Sequence, residues 1–217
     1  MVVPLVGVQE VRAKGKRVEG IAALVGGASA GPGVTVILRS DVVLRAAIEA
    51  ARSGPEAGAS PELRAASLDT LVGEALIERE ANRVHLAAPS TAAIRAEVLR
   101  FEASVGGAAA LEKVLKSIGA DRDEVRAMAT RRALVGAFLR ANLEGTVVVT
   151  DAQVQSAYRD GRHPFGDRSE EEAREPLRRW LMQQALDVAV ARWIRVLGAR
   201  TTTVRMMEIA GETPAGP

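Results

Sequence analysis

Segments typical of β-strands lie at both ends of this chain, whereas the long stretch between them has the residue spacing of helices. Residues 18–27 and 34–39 are rich in apolar side chains and flank a Gly- and Pro-containing turn, which predicts a hairpin. Residues 201–206 are also β-rich. A single terminal strand is not stable alone, because its backbone groups need a partner. The sequence therefore predicts a mainly α fold, in which one small sheet joins the N-terminal hairpin to the C-terminal strand and closes a helical body.

Six to seven helices are predicted between these strands, because apolar residues recur at every third or fourth position and capping or breaking residues separate the runs. The first helix is expected at about 41–52, with Ser40 as its N-terminal cap. Pro176 lies inside the last helix and predicts a kink or a later start. Other helices are expected to begin at Ser60, Ser90, Asp121, Thr150 and Ser169.

The chain is predicted to hold one folded domain between two tails. Residues 1–17 are expected to form a flexible N-terminal arm, and residues 210–217 a disordered tail. The domain between them, residues 18–209, has an N-terminal part at 18–158 and a C-terminal helix and strand at 169–209. A chain of 217 residues is long enough to bury a real hydrophobic core.

The composition excludes several classes of protein. The chain has no Cys, so disulfide scaffolds, thiol catalysis and Cys-based zinc sites are ruled out. Its 29 Lys and Arg nearly balance 27 Asp and Glu without forming a basic stripe, so no nucleic-acid partner is expected. No apolar run is long enough to insert across a bilayer. The N-terminus lacks the pattern of a signal peptide, which leaves a cytoplasmic protein or a sequence that starts inside or after an export signal.

Five motifs occur in the order found in SurA-like periplasmic chaperones. The opening V-E-G-I-A-A-L-V-G-G…V-T-V-I-L-R-S-D-V at 18–42 resembles the hairpin that leads into that family's first helix. L-D-T-L-V-G-E-A-L-I-E-R-E-A at 68–81 looks like the second helix, and V-T-D-A-Q-V at 149–154 is similar to the family's V-T-D-x-E-V. P-F-G-D-R-S-E-E-E-A-R-E-P-L-R-R-W-L at 164–181 and R-T-T-T-V-R-M at 200–206 resemble the C-terminal helix and the closing strand.

The resemblance covers roughly residues 18–206 and implies the SurA N-terminal, peptide-binding domain family. Many members carry one or two parvulin-type prolyl isomerase domains between the V-T-D helix and the last helix. Here only residues 159–169 lie between those landmarks, which is too short for a domain. The resemblance therefore implies a member that lacks the isomerase domain and is not an enzyme. It also implies a periplasmic location, with the cytoplasm as the alternative.

No residue is expected to act in catalysis or to hold a metal or cofactor. The only histidines, His85 and His163, are far apart in sequence. The glycines at 26–33 precede a strand, where a phosphate-binding loop would need a helix. Aromatic residues at helical spacing usually belong to the core, but the resemblance implies that some line a groove between the helical body and the last helix. The expected peptide-binding residues are Phe101, Leu115, Phe138, Phe165 and Trp180.

The leading hypothesis is an ATP-independent holdase, which binds unfolded or unassembled polypeptides through an apolar groove. The resemblance implies outer-membrane β-barrel proteins as its clients. Two alternatives stay open. The first is a peptidyl-prolyl cis-trans isomerase, which only the family association favours. The second is a structural or adaptor module, including a homodimer that exchanges its terminal strand or last helix between chains.

Overall fold

The structure, a computed structural model, describes residues 19–27, 33–54, 58–143, 145 and 148–206. The predicted arm at 1–17 and the predicted tail at 210–217 lie outside the described residues. In the described part, two strands precede seven helices, and a third strand ends the fold. The elements are β1 (Ile21–Val25), β2 (Thr35–Leu38), α1 (Arg39–Ser53), α2 (Pro61–Arg83), α3 (Thr91–Ser104), α4 (Ala108–Ile118), α5 (Arg122–Leu143), α6 (Asp151–Asp160), α7 (Glu170–Gly198) and β3 (Thr203–Arg205).

The sheet joins the two ends of the described chain. β1 is its central strand, and β2 and β3 pair with it in antiparallel orientation, one on each side. Leu24 lies opposite Val36 in β2 and opposite Val204 in β3. The pairing of β3 continues beyond the strand, because the Met206 N–H donates to the Ala22 carbonyl at 2.9 Å. The prediction of a mainly α fold closed by a small sheet is confirmed.

The first helix begins two residues before its predicted start. The Arg39 N–H still donates to the Gly20 carbonyl at 2.7 Å, so strand pairing passes directly into α1. The Leu38 N–H donates to the Asp41 carboxylate at 2.9 Å, whereas the Ser40 hydroxyl donates to Glu19 at 3.0 Å. The prediction of Ser40 as the N-terminal cap is therefore wrong. Instead, the carboxylate of Asp41 in the first turn accepts a free backbone N–H at the start of the helix.

The other predicted helix starts are confirmed. The Asp121 carboxylate accepts the N–H groups of Asp123 and Glu124 at 2.9 and 3.0 Å, and the Glu124 carboxylate accepts the Asp121 N–H in return. Helix α7 runs without interruption through Pro176, so the alternative of a later start is wrong. Side-chain oxygens accept the N–H of the residue three positions later at Ser60, Ser90, Thr150 and Ser169.

Three clusters of buried side chains form the core, and α2 contributes to two of them. The first lies between the sheet and α2 and includes Ile37 and Leu71. The second joins α1, α3, α4 and α5. The third lies where α2, α5 and α7 meet and includes Ile77. Because α2 packs on the sheet, α1, α5 and α7, it is the central helix of the fold.

A buried ion pair also joins α1 to α2. Arg45 donates to Glu74 at 3.1 Å, and its guanidinium lies 3.3 Å from Glu49. The side chains of Arg45 and Glu74 are only about one-tenth exposed. The second carboxylate oxygen of Glu74 is buried without a hydrogen-bond partner. Charges are costly to bury unless they are paired, so the loss of either partner alone would leave the other charge buried at a cost in stability.

Helix α6 packs chiefly on the first half of α7. Val154 of α6 is buried, as are Ala173 and Leu177 of α7. Arg178 strengthens the contact, because it pairs with Asp151 and donates to the Val149 carbonyl at 3.2 Å. None of the helices in the described ranges combines the length and the apolar character needed to cross a membrane.

Candidate functional site

An open groove of about 1010 Å³ lies between α2, α5 and α7. We call it the α7 groove. One apolar row of α7 forms a wall, with its members four positions apart, and α2 and α5 supply the remaining apolar surface. The apolar lining consists of Ile77 from α2, Val135, Leu139 and Leu143 from α5, and Met182, Leu186, Val190 and Ile194 from α7.

The groove is open because α7 is held at its two ends. Within this 29-residue helix, only Ala173 and Leu177 are fully buried, and both lie in its first third. The opposite end packs on the body through Trp193, Ile194 and Leu197. Between these two contacts the side chains of α7 are half-buried or exposed, so the other helices leave part of their apolar surface uncovered. The α7 groove is therefore a consequence of how α7 is anchored.

The far end of the groove is fixed by a close approach of two helices. A Cβ atom placed on Gly73 of α2 would lie 2.8 Å from Cδ1 of Ile194 in α7. Glycine at this position thus lets the Ile194 side chain rest directly on the α2 backbone. Gly136 of α5 also shapes the groove. It has no side chain, so the groove is wider next to it.

The polar part of the lining has charges of both signs. Arg132 and Arg140 lie on α5, whereas Glu74 and Asp187 lie on α2 and α7. The Arg132 guanidinium is held in place, because it lies 3.9 Å from Glu97 and 5.0 Å above the centre of the Phe101 ring. A balanced set of charges does not select a polyanion or a polycation, so the apolar walls determine what the groove can bind.

A second depression, of about 680 Å³, lies along another flank of α7. Its lining includes Val188, which is 70% exposed, and Val196. Glu80 lies at its edge and accepts two hydrogen bonds of 2.7 Å from Arg83, which lower the pKa of this carboxyl. Helix α7 therefore presents apolar side chains on two flanks, and the α7 groove is the larger and more apolar of the two hollows.

Three of the five residues predicted to bind peptide lie in the core. Phe101 and Leu115 belong to the second buried cluster. Phe138 belongs to the third, where its ring centre is 5.3 Å from that of Trp193. All three are at most 3% exposed, so a polypeptide cannot contact them in this conformation.

The other two predicted residues, Phe165 and Trp180, are half-buried and lie outside the lining of the α7 groove. Phe165 belongs to an ordered turn between α6 and α7. The His163 ring stacks between those of Tyr158 and Phe165, at centre distances of 5.3 and 6.2 Å. The Tyr158 hydroxyl donates to the Arg168 carbonyl at 2.7 Å. Phe165 thus contributes to the packing of this turn.

The residues that do line the groove were missed because they look like ordinary helix core. One signal was available in the sequence. The apolar positions of α7 include 181, 182, 185, 186, 188, 189 and 190, which together cover more than the single stripe that a surface helix buries. A helix that is apolar on two flanks needs a second partner or leaves a groove.

No metal-binding group is found in the part of the chain that the structure describes, where no three or more His, Asp or Glu side chains converge. His85 and His163 lie in separate loops. No protein-family model matches the chain, and no curated protein sequence matches it significantly. We therefore classify the protein by its fold and its groove. It is a mainly α domain, closed by a three-stranded sheet, with an open apolar groove along its last helix.

Proposed function

We propose that this protein is a holdase, a chaperone that binds unfolded or unassembled polypeptides in the α7 groove without using nucleotide. The observation that carries the proposal is the half-buried apolar row of Met182, Leu186, Val190 and Ile194, which forms one wall of the open groove. Hollows of about this volume that are lined mainly by apolar side chains, with a few polar groups, typically bind a ligand.

The dimensions of the groove suit a peptide segment. At about 1.5 Å per helical residue, the row from Met182 to Ile194 extends over about 18 Å. An extended chain of about five residues covers the same length. Apolar walls with a few charged groups of both signs accept many side-chain sequences, and the flexible Met182 side chain adapts to different shapes. Such contacts give the modest affinity that a chaperone needs in order to release its client.

The class of client and the location follow from the resemblance to SurA-like chaperones. We propose that the clients are outer-membrane β-barrel proteins in their unfolded state and that binding takes place in the periplasm. Residues 161–169, which connect α6 to α7, form a short turn at the position where many members of that family have an isomerase domain. We therefore expect binding without catalysis of prolyl isomerisation.

An aggregation assay tests the proposal. An unfolded β-barrel membrane protein is diluted from urea into buffer without nucleotide, and light scattering is recorded with and without the chaperone. We expect the wild-type protein to suppress scattering at a few-fold molar excess. Leu186→Asp places a charge on the apolar wall of the groove and should remove at least half of this suppression.

Leu99→Asp is the matched control, because Leu99 is 52% exposed on α3 and lies outside the α7 groove. This variant should suppress scattering as well as the wild type does. A wild-type protein that leaves scattering unchanged would contradict the holdase proposal. Equal suppression by both variants would show that clients bind elsewhere. Acceleration of prolyl isomerisation in a proline-containing peptide would favour the enzyme alternative.

A further inference from the structure

A hollow of about 400 Å³ lies beside the C-terminal ends of α2 and α7, and most of its lining is charged. Arg79 and Arg83 come from α2, and Arg200 follows the end of α7. Among the described residues of the lining, Glu80 supplies the only carboxylate. The lining is completed by Leu76, Leu197 and Thr201. We call this hollow the arginine pocket.

Two of the three arginines are held in place by the fold. Arg79 donates to the Gly33 carbonyl, and its guanidinium lies against the hairpin at Gly26. Arg83 donates two hydrogen bonds of 2.7 Å to the Glu80 carboxylate. Side chains that are already ordered lose little further freedom when a ligand binds. The arginine pocket is therefore largely formed before any ligand arrives.

The third arginine, Arg200, has donors to spare. Its side chain is exposed and makes no hydrogen bond or salt bridge to any residue that the structure describes. Hydrogen bonds from Arg83, and to a lesser degree the charge of Arg200, lower the pKa of Glu80. Three guanidinium groups and one carboxylate leave an excess of two positive charges in the pocket. Guanidinium groups bind the oxygens of carboxylates and phosphates through paired N–H groups, so the pocket suits an anionic group.

The arginine pocket adjoins the second depression along α7. The two hollows share Glu80, Leu197 and Arg200, so they are contiguous. Away from these shared residues, the lining of the second depression is mainly apolar, and its Val188 and Val196 are 70% and 44% exposed. The other apolar residues of this lining are Leu143, Ala185, Ala189 and Trp193. A charged end and an apolar extension thus form one continuous surface.

A ligand that matches this surface is anionic at one end and aliphatic over the rest of its length. Along α7, the distance from Ala185 to Arg200 is about 22 Å, at about 1.5 Å per residue. An aliphatic chain laid there leaves water together with the exposed valines, which is favourable, and it buries no polar group that would need a partner. We infer that the two hollows together bind an anionic amphiphile, with its carboxylate or phosphate headgroup in the arginine pocket and its aliphatic chain in the second depression. This inference does not depend on the α7 groove or on client binding.

Fluorescence quenching tests the position of the aliphatic chain, because Trp193 lines the second depression and a bromine atom quenches tryptophan on contact. The chain has two tryptophans, and Trp180 lies outside both hollows. Lauric acid brominated on its chain is titrated, below the concentration at which micelles form, into the Trp180→Phe and Trp193→Phe proteins. We expect saturable quenching of at least half of the emission in Trp180→Phe and little quenching in Trp193→Phe. Equal quenching in the two proteins would overturn the inference.

The affinity for dodecyl phosphate, measured by calorimetry, tests the position of the headgroup. Arg200→Gln should raise the Kd at least fivefold, because it removes a charged donor of the arginine pocket. Arg95→Gln is the matched control, since Arg95 is exposed on α3 and lies outside both hollows. It should bind with the affinity of the wild type. Circular dichroism shows whether both variants keep the fold.

Two further ligands separate the parts of the proposed amphiphile. Dodecanol has the aliphatic chain without the charge, and inorganic phosphate has the charge without the chain. We expect each to bind the wild-type protein at least tenfold more weakly than dodecyl phosphate does. Equal binding of dodecanol would contradict a role for the arginines, and equal binding of inorganic phosphate would contradict a role for the apolar lining. Either result overturns the inference, as does a wild-type protein that binds neither lauric acid nor dodecyl phosphate.

Discussion

Leu24 and Val204 lie directly opposite each other in the antiparallel pairing of β1 with β3, although one is near the beginning of the described chain and the other near its end. The three-residue strand β3 is the continuation of α7 after a short turn. The sheet therefore holds the C-terminal end of α7, and the α7 groove depends on this attachment.

Val204→Pro should weaken the attachment of β3. Proline removes a backbone N–H from the ladder and does not fit inside a paired strand. The Val204 side chain is 45% exposed, so the loss arises from the backbone and not from core packing. We expect the free energy of unfolding to fall by about 2–3 kcal/mol, measured by urea denaturation followed by circular dichroism. Val204→Ala should cost less than about 1 kcal/mol, and equal losses in the two variants would contradict this prediction.

Gly26→Ala should destabilise the hairpin, whereas Gly27→Ala should not. Gly26 has a φ of +109°, and a Cβ there would lie 2.5 Å from the guanidinium carbon of Arg79. At Gly27, a Cβ would meet only Thr202, at an ordinary 3.8 Å. We expect Gly26→Ala to cost about 1–3 kcal/mol and to lower the melting temperature by several degrees. An equal decrease in the melting temperature of Gly27→Ala would show that the backbone conformation of Gly26 does not cause the loss of stability.

Arg45→Met should be more harmful than the loss of both members of the buried pair. The single variant leaves the Glu74 carboxylate buried without its partner, which costs about 3–5 kcal/mol. The double variant Arg45→Met with Glu74→Met replaces the pair by apolar side chains and should recover most of that loss. Urea denaturation of the four proteins of this cycle gives the coupling energy. A double variant as unstable as the single one would contradict the prediction.

The contact between α6 and α7 should weaken in acid. Hydrogen bonding and charge attraction from Arg178 hold the pKa of Asp151 below its ordinary value. A carboxyl with a lowered pKa in the folded state stabilises the fold above its unfolded pKa of about 4, and this contribution is lost as the pH falls through the folded value. The stability difference between wild type and Asp151→Asn should therefore shrink between pH 6 and pH 3. A difference that is the same at both pH values would contradict the role of this pair.

Local chemistry was sufficient to predict most of the helix starts. Ser60, Ser90, Thr150 and Ser169 each satisfy N–H groups within three residues, so the sequence around them contains the whole interaction. The failure at Ser40 has a different origin, because its hydroxyl bonds to Glu19, which lies on the other side of the hairpin. A partner that is distant in sequence is not visible in a local pattern.

The meeting of the two chain ends was predictable for a related reason. A terminal strand without a neighbour must pair with another strand, and the N-terminal hairpin was the one available. The sequence did not predict which strand would be central or that Leu24 would face Val204. Register depends on the bulge between Ile21 and Ala23 and on the position of α2 beneath the sheet.

The residues that line the groove were not identified from the sequence, because apolar residues at helical spacing look the same in a core and in a groove. Aromatic residues were the natural choice for binding, yet Phe101 and Phe138 are core residues that fill the space between helices. Exposure along α7 depends on the two points where this helix is anchored, and those points are set by tertiary packing.

Peptide binding by Gly136→Leu is the most direct test of the α7 groove as the client site. Gly136 lines the groove, and a Cβ there would have only the Arg140 guanidinium within 4 Å. Leucine should therefore fill the groove, while its higher helix propensity adds about 1 kcal/mol of stability. Ala92→Leu, at an exposed position on α3, is the control.

The affinity is measured by fluorescence anisotropy with a labelled peptide from an unfolded β-barrel protein. We expect the Kd of Gly136→Leu to rise at least tenfold, with no decrease in melting temperature, and that of Ala92→Leu to match the wild type. A stable Gly136→Leu protein that binds the peptide as tightly as the wild type would contradict the assignment of the α7 groove as the binding site.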